Sequence, residues 1–247
     1  WAGGLPRPRA DVAAALAALV RLRLGGGVDL RDTCLQGADL RGAAFAGARL
    51  SGARLEGADL SEADLSAADL RSARLDAAMM AGSILEQAEL ADCGLRWVSA
   101  PRALANGVRM TGALAARIDL TGAELLTADL RGSDLSGATL DEILAERANL
   151  GAARLDAASL RAADLTAASL TGTLIDARTD CTDARFSGAL LRRADWSEAG
   201  LGSDQLAQII GDASAILGPQ HLRPAHWARA VLDDAAFRRH RRNAVPE

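Results

Sequence analysis

The sequence has no tyrosine and no lysine, and only three phenylalanines and four tryptophans in 247 residues. A globular α/β enzyme of this length normally fills its interior with large rings. With so few here, the interior must be built from alanine and leucine and must therefore be thin. Every strongly basic side chain is arginine, which we attribute to compositional bias rather than to chemistry. Cysteine is scarce too. Cys34, Cys93 and Cys181 are odd in number and far apart, so they read as free thiols in a reducing compartment, and a cytoplasmic location is expected. No apolar run approaches the roughly 20 residues that span a bilayer, and no secretory signal is visible. The chain begins at Trp1 rather than Met, so a processed chain or a fragment is expected, with room for a membrane tether upstream. The formal net charge of −4 argues against direct nucleic-acid binding.

What is present is a repeat. From Leu30 an apolar residue recurs at every fifth position: Leu35, Leu40, Phe45, Leu50, Leu55 and on to Leu95, then from Leu120 to Ile175. Two residues before most of them stands a small one, as at Ala38, Ala43, Ala48 and Ala53, and glycine often follows two after, as at Gly37, Gly42 and Gly47. A period of five fits neither the 3.6 of a helix nor the 2 of a strand. A chain that turns a corner every five residues puts all the leucines on one side, the inside.

Units such as Ala-Asp-Leu-Arg-Gly (Ala38 to Gly42) and Ser-Asp-Leu-Ser-Gly (Ser133 to Gly137) resemble the pentapeptide-repeat family over residues 28–198. The resemblance implies an all-β solenoid, a right-handed quadrilateral parallel β-helix with four pentapeptides per coil. The central Leu and the small residue point in, and the other three positions point out. At about 4.8 Å per coil, some 8–9 coils would make a rod of roughly 40 Å. Short α-helical caps are expected at both ends. The organisation expected is thus 1–27, an N-terminal capping helix with Val12, Leu16, Leu19 and Val20 as its stripe over 11–24; 28–198, the β-helix; and 199–247, a C-terminal helical cap. That cap would hold a short helix over 203–210, with Leu206, Ile209 and Ile210 inward, and a last helix over 225–242 carrying Trp227 and Val231.

The repeat falters twice. Between Leu95 and Leu120 the central positions become Ala100, Ala105, Met110 and Ala115, Pro101 intrudes and Trp97 appears. Residues 97–117 are either a regular coil or a loop. Near Asp180 to Asp183 the repeat resumes one residue late, so one extra corner residue is expected there.

Outward positions are mostly polar, with a clustered exception. Ile84, Leu104 and Leu144 precede central positions of the fourth face, and Leu126 is placed on the same face. With Trp97 they are the candidate partner contacts. The alternative is that the coil is distorted and leucines such as Leu104 and Leu114 turn in, replacing the alanine centres. No catalytic, cofactor or metal site is expected. His221 and His226 stand five apart, off any single helical face, Gly25 to Gly27 precede a coil rather than a helix, and outward carboxylates such as Asp39, Asp59 and Asp119 recur with the repeat as a solvated face.

The function expected is a non-enzymatic interaction scaffold with a protein partner. A second reading follows from the resemblance, since some family members mimic DNA and bind DNA gyrase. Residues 28–198 hold 26 acidic side chains and 18 arginines, which spread one net negative charge over roughly 5 Å of rod, against about 1.7 Å in B-DNA. A third is the soluble domain of a membrane-associated protein. Either a monomer or a homodimer is compatible with the sequence. The basic run Arg238 to Arg242 has two readings, a contact for nucleic acid or anionic lipid and, more commonly, a solvated helix end.

Overall fold

The structure is a computed structural model and describes residues 27–243. The chain turns a corner at every fifth residue. The residue before each central apolar pairs in parallel with its counterpart twenty residues on, so Asp29 pairs with Arg49, Arg49 with Asp69, Cys34 with Arg54, Asp39 with Asp59 and Ala44 with Asp64. Four such ladders run the length of the rod, which makes the coil four-faced.

Backbone hydrogen bonding explains why the unit has five residues. Leu50 N–H donates to the Asp69 carbonyl (2.7 Å) and Asp69 N–H to that of Ala48 (2.9 Å), which closes one rung. Gly57 N–H donates to the Asp76 carbonyl of the next coil (3.0 Å), and Ala58 N–H closes the turn onto the Leu55 carbonyl (3.0 Å). Four of every five amides are thereby satisfied. From Asp32 to Gly172 the residue two after each centre has positive φ, the geometry a type II turn requires. Glycine meets that demand freely, yet Trp97 sits there at φ 55°, where a bulky side chain is strained.

The fifth amide, on the residue just after the centre, has no backbone partner. The outward Asp or Asn supplies one: Ser61 N–H donates to Asp59 Oδ1 (3.0 Å), Ser66 to Asp64 (3.0 Å), Thr121 to Asp119 (3.0 Å) and Gly151 to Asn149 (3.0 Å). Where the outward residue is Gly94 or Ser159, a turn residue of the preceding coil takes over. Arg96 N–H donates to Asp76 Oδ1 (2.9 Å) and Arg161 N–H to Asp141 Oδ1 (3.0 Å). Pro101 occupies this same position and has no N–H to satisfy, besides being favoured there in the turn. It does not break the coil, and residues 97–117 form a regular one with every rung in place.

That coil stays packed through exchanged sizes. Val98 and Val108 fill the position that is mostly alanine, while Ala100 and Ala105 take the centres, and all are buried. Ile143 and Ala145 repeat the exchange on a later coil. Such volume-conserving swaps are tolerated best in tight cores.

The extra residue lies earlier than the sequence suggested. The corner after Ile175 holds Asp176, Ala177 and Arg178, while Cys181 already occupies a buried central position. Here the Asp176 carboxylate replaces a main-chain carbonyl, accepting from Ala157 N–H (2.8 Å). That bond, together with Arg178, holds the Asp176 carboxyl down at about 2. Arg31 holds Asp29 at about 2 in the same way, its guanidinium donating two bonds. A carboxylate with a depressed pKa stabilises the fold above its ordinary value near 4 and loses that contribution as pH falls toward 2. Thermal melts should therefore fall in midpoint between about pH 4 and pH 2, and Asp176→Asn should flatten the profile. A midpoint constant across that window would rule the carboxylates out as stabilisers.

Pairing continues past residue 198, where the sequence placed the end of the β-helix. Strands β1 (Leu190–Leu191) and β2 (Asp195–Trp196) pair in parallel with β3 (Ile210–Gly211) and β4 (Ile216–Leu217). Helix α1 (Ser203–Gln208) takes the place of a fourth-face strand, with buried Leu206 standing twenty residues after the buried Phe186. Gln205 ties it down: its Oε1 accepts from Gly202 N–H (2.9 Å) and its amide donates to the carbonyls of Cys181 (2.8 Å) and Ala184 (3.0 Å). Ile209 and Ile210 are buried, but the helix stops at Gln208 rather than 210, and Ile210 belongs to β3.

The last helix, α2, spans Asp234–Asn243 rather than 225–242. Pro224 opens a turn, not a helix, so Trp227 and Val231 do not share a helical face. Trp227 is buried with its indole N–H on the Ile209 carbonyl (2.7 Å), and Val231 is exposed. The helix expected over 11–24 lies outside the described residues.

Candidate interaction surfaces

Each face shows one outward side chain per coil. On the fourth face the ladder runs Ala44, Asp64, Ile84, Leu104, Glu124, Leu144, Asp164. Leu104 is 37% and Leu144 46% exposed, while the alanine centres Ala105 and Ala145 behind them are buried. The leucines have not turned inward. Ile84 and Leu104 are adjacent rungs, and Glu124 separates Leu104 from Leu144.

Leu126 is not on this face. It follows the centre Leu125 and so sits on the corner leading to the first face, half-buried. The same corner carries Asn106, whose Oδ1 accepts from Leu126 N–H (2.9 Å) and whose amide donates to Glu86 (3.2 Å) and Glu124 (3.1 Å). Asn106 thus substitutes for the outward Asp and also holds Glu124 beside the apolar strip.

Trp97 lies elsewhere, on the corner between the second and third faces, 57% exposed. Near it stand Leu114, the rung beyond Gly94 on the second face, and Met79, paired with Ser99 on the third. Both are exposed. The five predicted contacts therefore divide into a fourth-face strip, a corner leucine beside it and a separate knuckle. Leu114 and Met79 were missed because each, taken alone, is an unremarked outward residue. Only the twenty-residue stacking brings them beside Trp97.

The outward carboxylates expected as a solvated face also have a structural task. Asp39 and Asp119 cap turn amides, and Arg side chains close on many such caps at 2.6–2.8 Å, as in Arg31–Asp29, Arg41–Asp39, Arg71–Asp69 and Arg131–Asp129. Burial pushes the Cys93 and Cys181 thiols up to about 12, so neither is poised as a thiolate. Cys34 is exposed, with Sγ 3.5 Å from Gln36 Oε1. His221 and His226 each sit 2.8 Å from a backbone carbonyl, of Ala199 and Ile209. Among the described residues no cluster of three or more His, Cys, Asp or Glu is arranged to hold a metal, and no helix is long and apolar enough to cross a membrane.

A four-faced parallel solenoid with turn-capping aspartates and an alanine–leucine core defines the class. The family model described as pentapeptide repeats matches the chain in eight copies, over residues 26–61, 58–96, 103–143 and 146–175, and the chain belongs to that family. Among solved structures it is similar to HetL, a pentapeptide-repeat protein involved in heterocyst differentiation regulation from Nostoc sp. PCC 7120, at 26% identity over 93% of this chain and 94% of that one, TM-score 0.46. It is also similar to a trypsin-treated variant of QnrB1, a plasmid-mediated fluoroquinolone resistance protein, at 16% identity over 86% and 93%, TM-score 0.43. A third is a pentapeptide-repeat protein of the Arabidopsis thaliana thylakoid lumen, at 25% identity over 61% and 72%, TM-score 0.28. Comparison with curated proteins finds no match.

Proposed function

We propose that the protein is a non-enzymatic scaffold that binds a protein partner through the fourth face of the rod. The observation that carries this reading is the pair Leu104 and Leu144, which point outward and stay exposed although smaller residues fill the centres behind them. Neither side chain is needed to close the solenoid: its rungs are backbone bonds and its core is filled by the residues behind them. Exposed apolar groups along one rigid face are what a partner would cover. The strained, exposed Trp97 marks a second contact on another side of the rod.

Mimicry of DNA toward a gyrase has less support. Many of the outward carboxylates are committed to turn amides and neutralised by arginines in the same repeat, as in Arg41–Asp39 and Arg178–Asp176, so the rod does not offer an uninterrupted row of free negative charge.

The double variant Leu104→Asp/Leu144→Asp should keep the wild-type melting profile and lose partner binding at least about tenfold, since covering one leucine contributes roughly 1.5–3 kcal/mol. Affinity capture from cells of the source organism, followed by titration of the recovered partner, reads the effect. Equal recovery by wild type and variant would retire the fourth face as the contact surface.

A further inference from the structure

The arginines of α2 are arranged unlike those of the shaft. Along the repeats most arginines close on an acid two residues away or on a neighbouring coil, as at Arg71–Asp69 and Arg109–Glu89, and the exceptions, Arg54, Arg102, Arg117 and Arg147, stand singly along the shaft. In α2, Arg238, Arg239, Arg241 and Arg242 are all exposed. Among the described residues the ion pairs of the cap go to Arg192 and Arg193, and none reaches these four. The two acids at the start of the helix are engaged elsewhere: Asp233 accepts from Ala236 N–H (2.7 Å) and Asp234 from Arg192 (3.0 Å). At 100° per residue the inner arc belongs to Phe237, which is buried, and His240, which is half-buried; the four arginines fill the outer arc.

This is more positive charge than a helix terminus calls for. The macrodipole places about half a negative charge at the C-terminal end, against four arginines here. The pairs Arg238–Arg241, Arg238–Arg242 and Arg239–Arg242 repel one another at helical spacing. The helix thus retains a cluster that works against its own stability. Charge is also divided along the molecule. Residues 27–220 hold eighteen arginines against twenty-eight acids, net −10, while 221–243 hold six arginines against two acids, net +4.

We propose that the C-terminal cap is a docking surface for an anionic phospholipid membrane, met end-on by the rod. Two observations favour a lipid surface over nucleic acid. The same cap exposes Leu222 (90%) and Val231 (64%), which suit a headgroup boundary and have no counterpart in a phosphate backbone. The acidic shaft also requires that the anion be met at the tip alone. A planar bilayer does this, because most of the shaft then stands farther off than the screening length of about 8 Å. Phe237 is packed inward, so the contact is electrostatic and peripheral rather than an inserted helix.

The test is cosedimentation of the full chain with phosphatidylglycerol–phosphatidylcholine vesicles, and with phosphatidylcholine alone, in low and high salt. Binding is expected only to the anionic vesicles and should disappear as salt rises. Arg238→Gln/Arg241→Gln/Arg242→Gln keeps good helix formers and should keep the wild-type melt. Its vesicle affinity should fall at least tenfold, since each arginine near an anionic surface contributes about fivefold. The proposal is overturned if the wild type ignores anionic vesicles, or if the variant binds them unchanged. It is also overturned if a DNA duplex binds as tightly as the vesicles, with the same dependence on these arginines. None of these outcomes bears on the fourth-face contact.

Discussion

Replacing Arg192 with alanine is expected to destabilise the protein by about 3–5 kcal/mol. Arg192 is buried at the end of the shaft. Its Nε donates to Asp212 Oδ2 and its Nη1 to Asp234 Oδ1, each at 3.0 Å, its Nη2 reaches the Leu232 carbonyl, and its guanidinium lies 4.2 Å from the centre of the Phe237 ring. Asp212 is fully buried. Burial alone would raise its pKa, but bonds from the Ser214 amide and hydroxyl, the Leu232 amide and Arg192 hold it below the usual carboxylate range. Truncating the arginine leaves that carboxylate charged and without its cationic partner. The melting temperature should drop by roughly 10 °C, taking 2–4 °C per kcal/mol for a chain of this size. Arg192→Met/Asp212→Leu should recover most of the loss, because removing both partners removes the uncompensated charge. A single variant that melts like the wild type would show that the network does not hold the cap.

The second large effect is expected at Gly211. A Cβ built there falls 2.5 Å from the buried Trp227 ring, and that ring is pinned by its own bond to the Ile209 carbonyl. The neighbouring chain adds to the constraint, since Ala228 N–H donates to the Gly211 carbonyl (3.1 Å). Gly211→Ala should destabilise by about 1–3 kcal/mol, the range for overpacking. In a double-mutant cycle, Gly211→Ala/Trp227→Ala should cost less than the sum of the two single changes. Strict additivity in urea denaturation would mean that the glycine is not there for the ring.

Both effects lie where the sequence was least legible, for a physical reason. A repeat announces itself because equivalent residues face equivalent surroundings. Leu40, Leu60 and Ala63 could be placed in the core from spacing alone, and they are buried. The cap has no period. Arg192 meets partners twenty, forty and forty-two residues away, contacts made once each, which no pattern announces. Pro224 and the apolar spacing after it suggested a helix beginning nine residues too early, because Trp227 is buried by a turn folded onto β3 and not by helical packing.

Within the repeats, too, the spacing told more about position than about task. The aspartate before each leucine was visible, but its service to the one unpaired amide depends on the turn geometry. Ala100 and Ala105 looked like a degenerate coil because only the centres were weighed, whereas Val98 and Val108 beside them restore the volume. Leu126 was assigned to a face although the residue after a centre lies on a corner. Of the candidate surface, then, the fourth-face strip was legible, and the grouping of Trp97 with Leu114 and Met79 was not.

The twenty-residue pairing also gives the outside of this molecule a reading frame. Losing a single pentapeptide between Leu104 and Leu144 would keep every leucine in the core, yet turn all later residues by one face. Leu144 would then line up with the third face, and the strip would be divided between two sides of an intact rod. Only insertions or deletions of whole coils leave the faces as they are. The additional residue among Asp176, Ala177 and Arg178 is contained within its corner, so Asp164 still pairs with Arg185, twenty-one positions on. Interior and exterior therefore tolerate different changes of length: the core accepts fives, and the binding surface accepts only twenties.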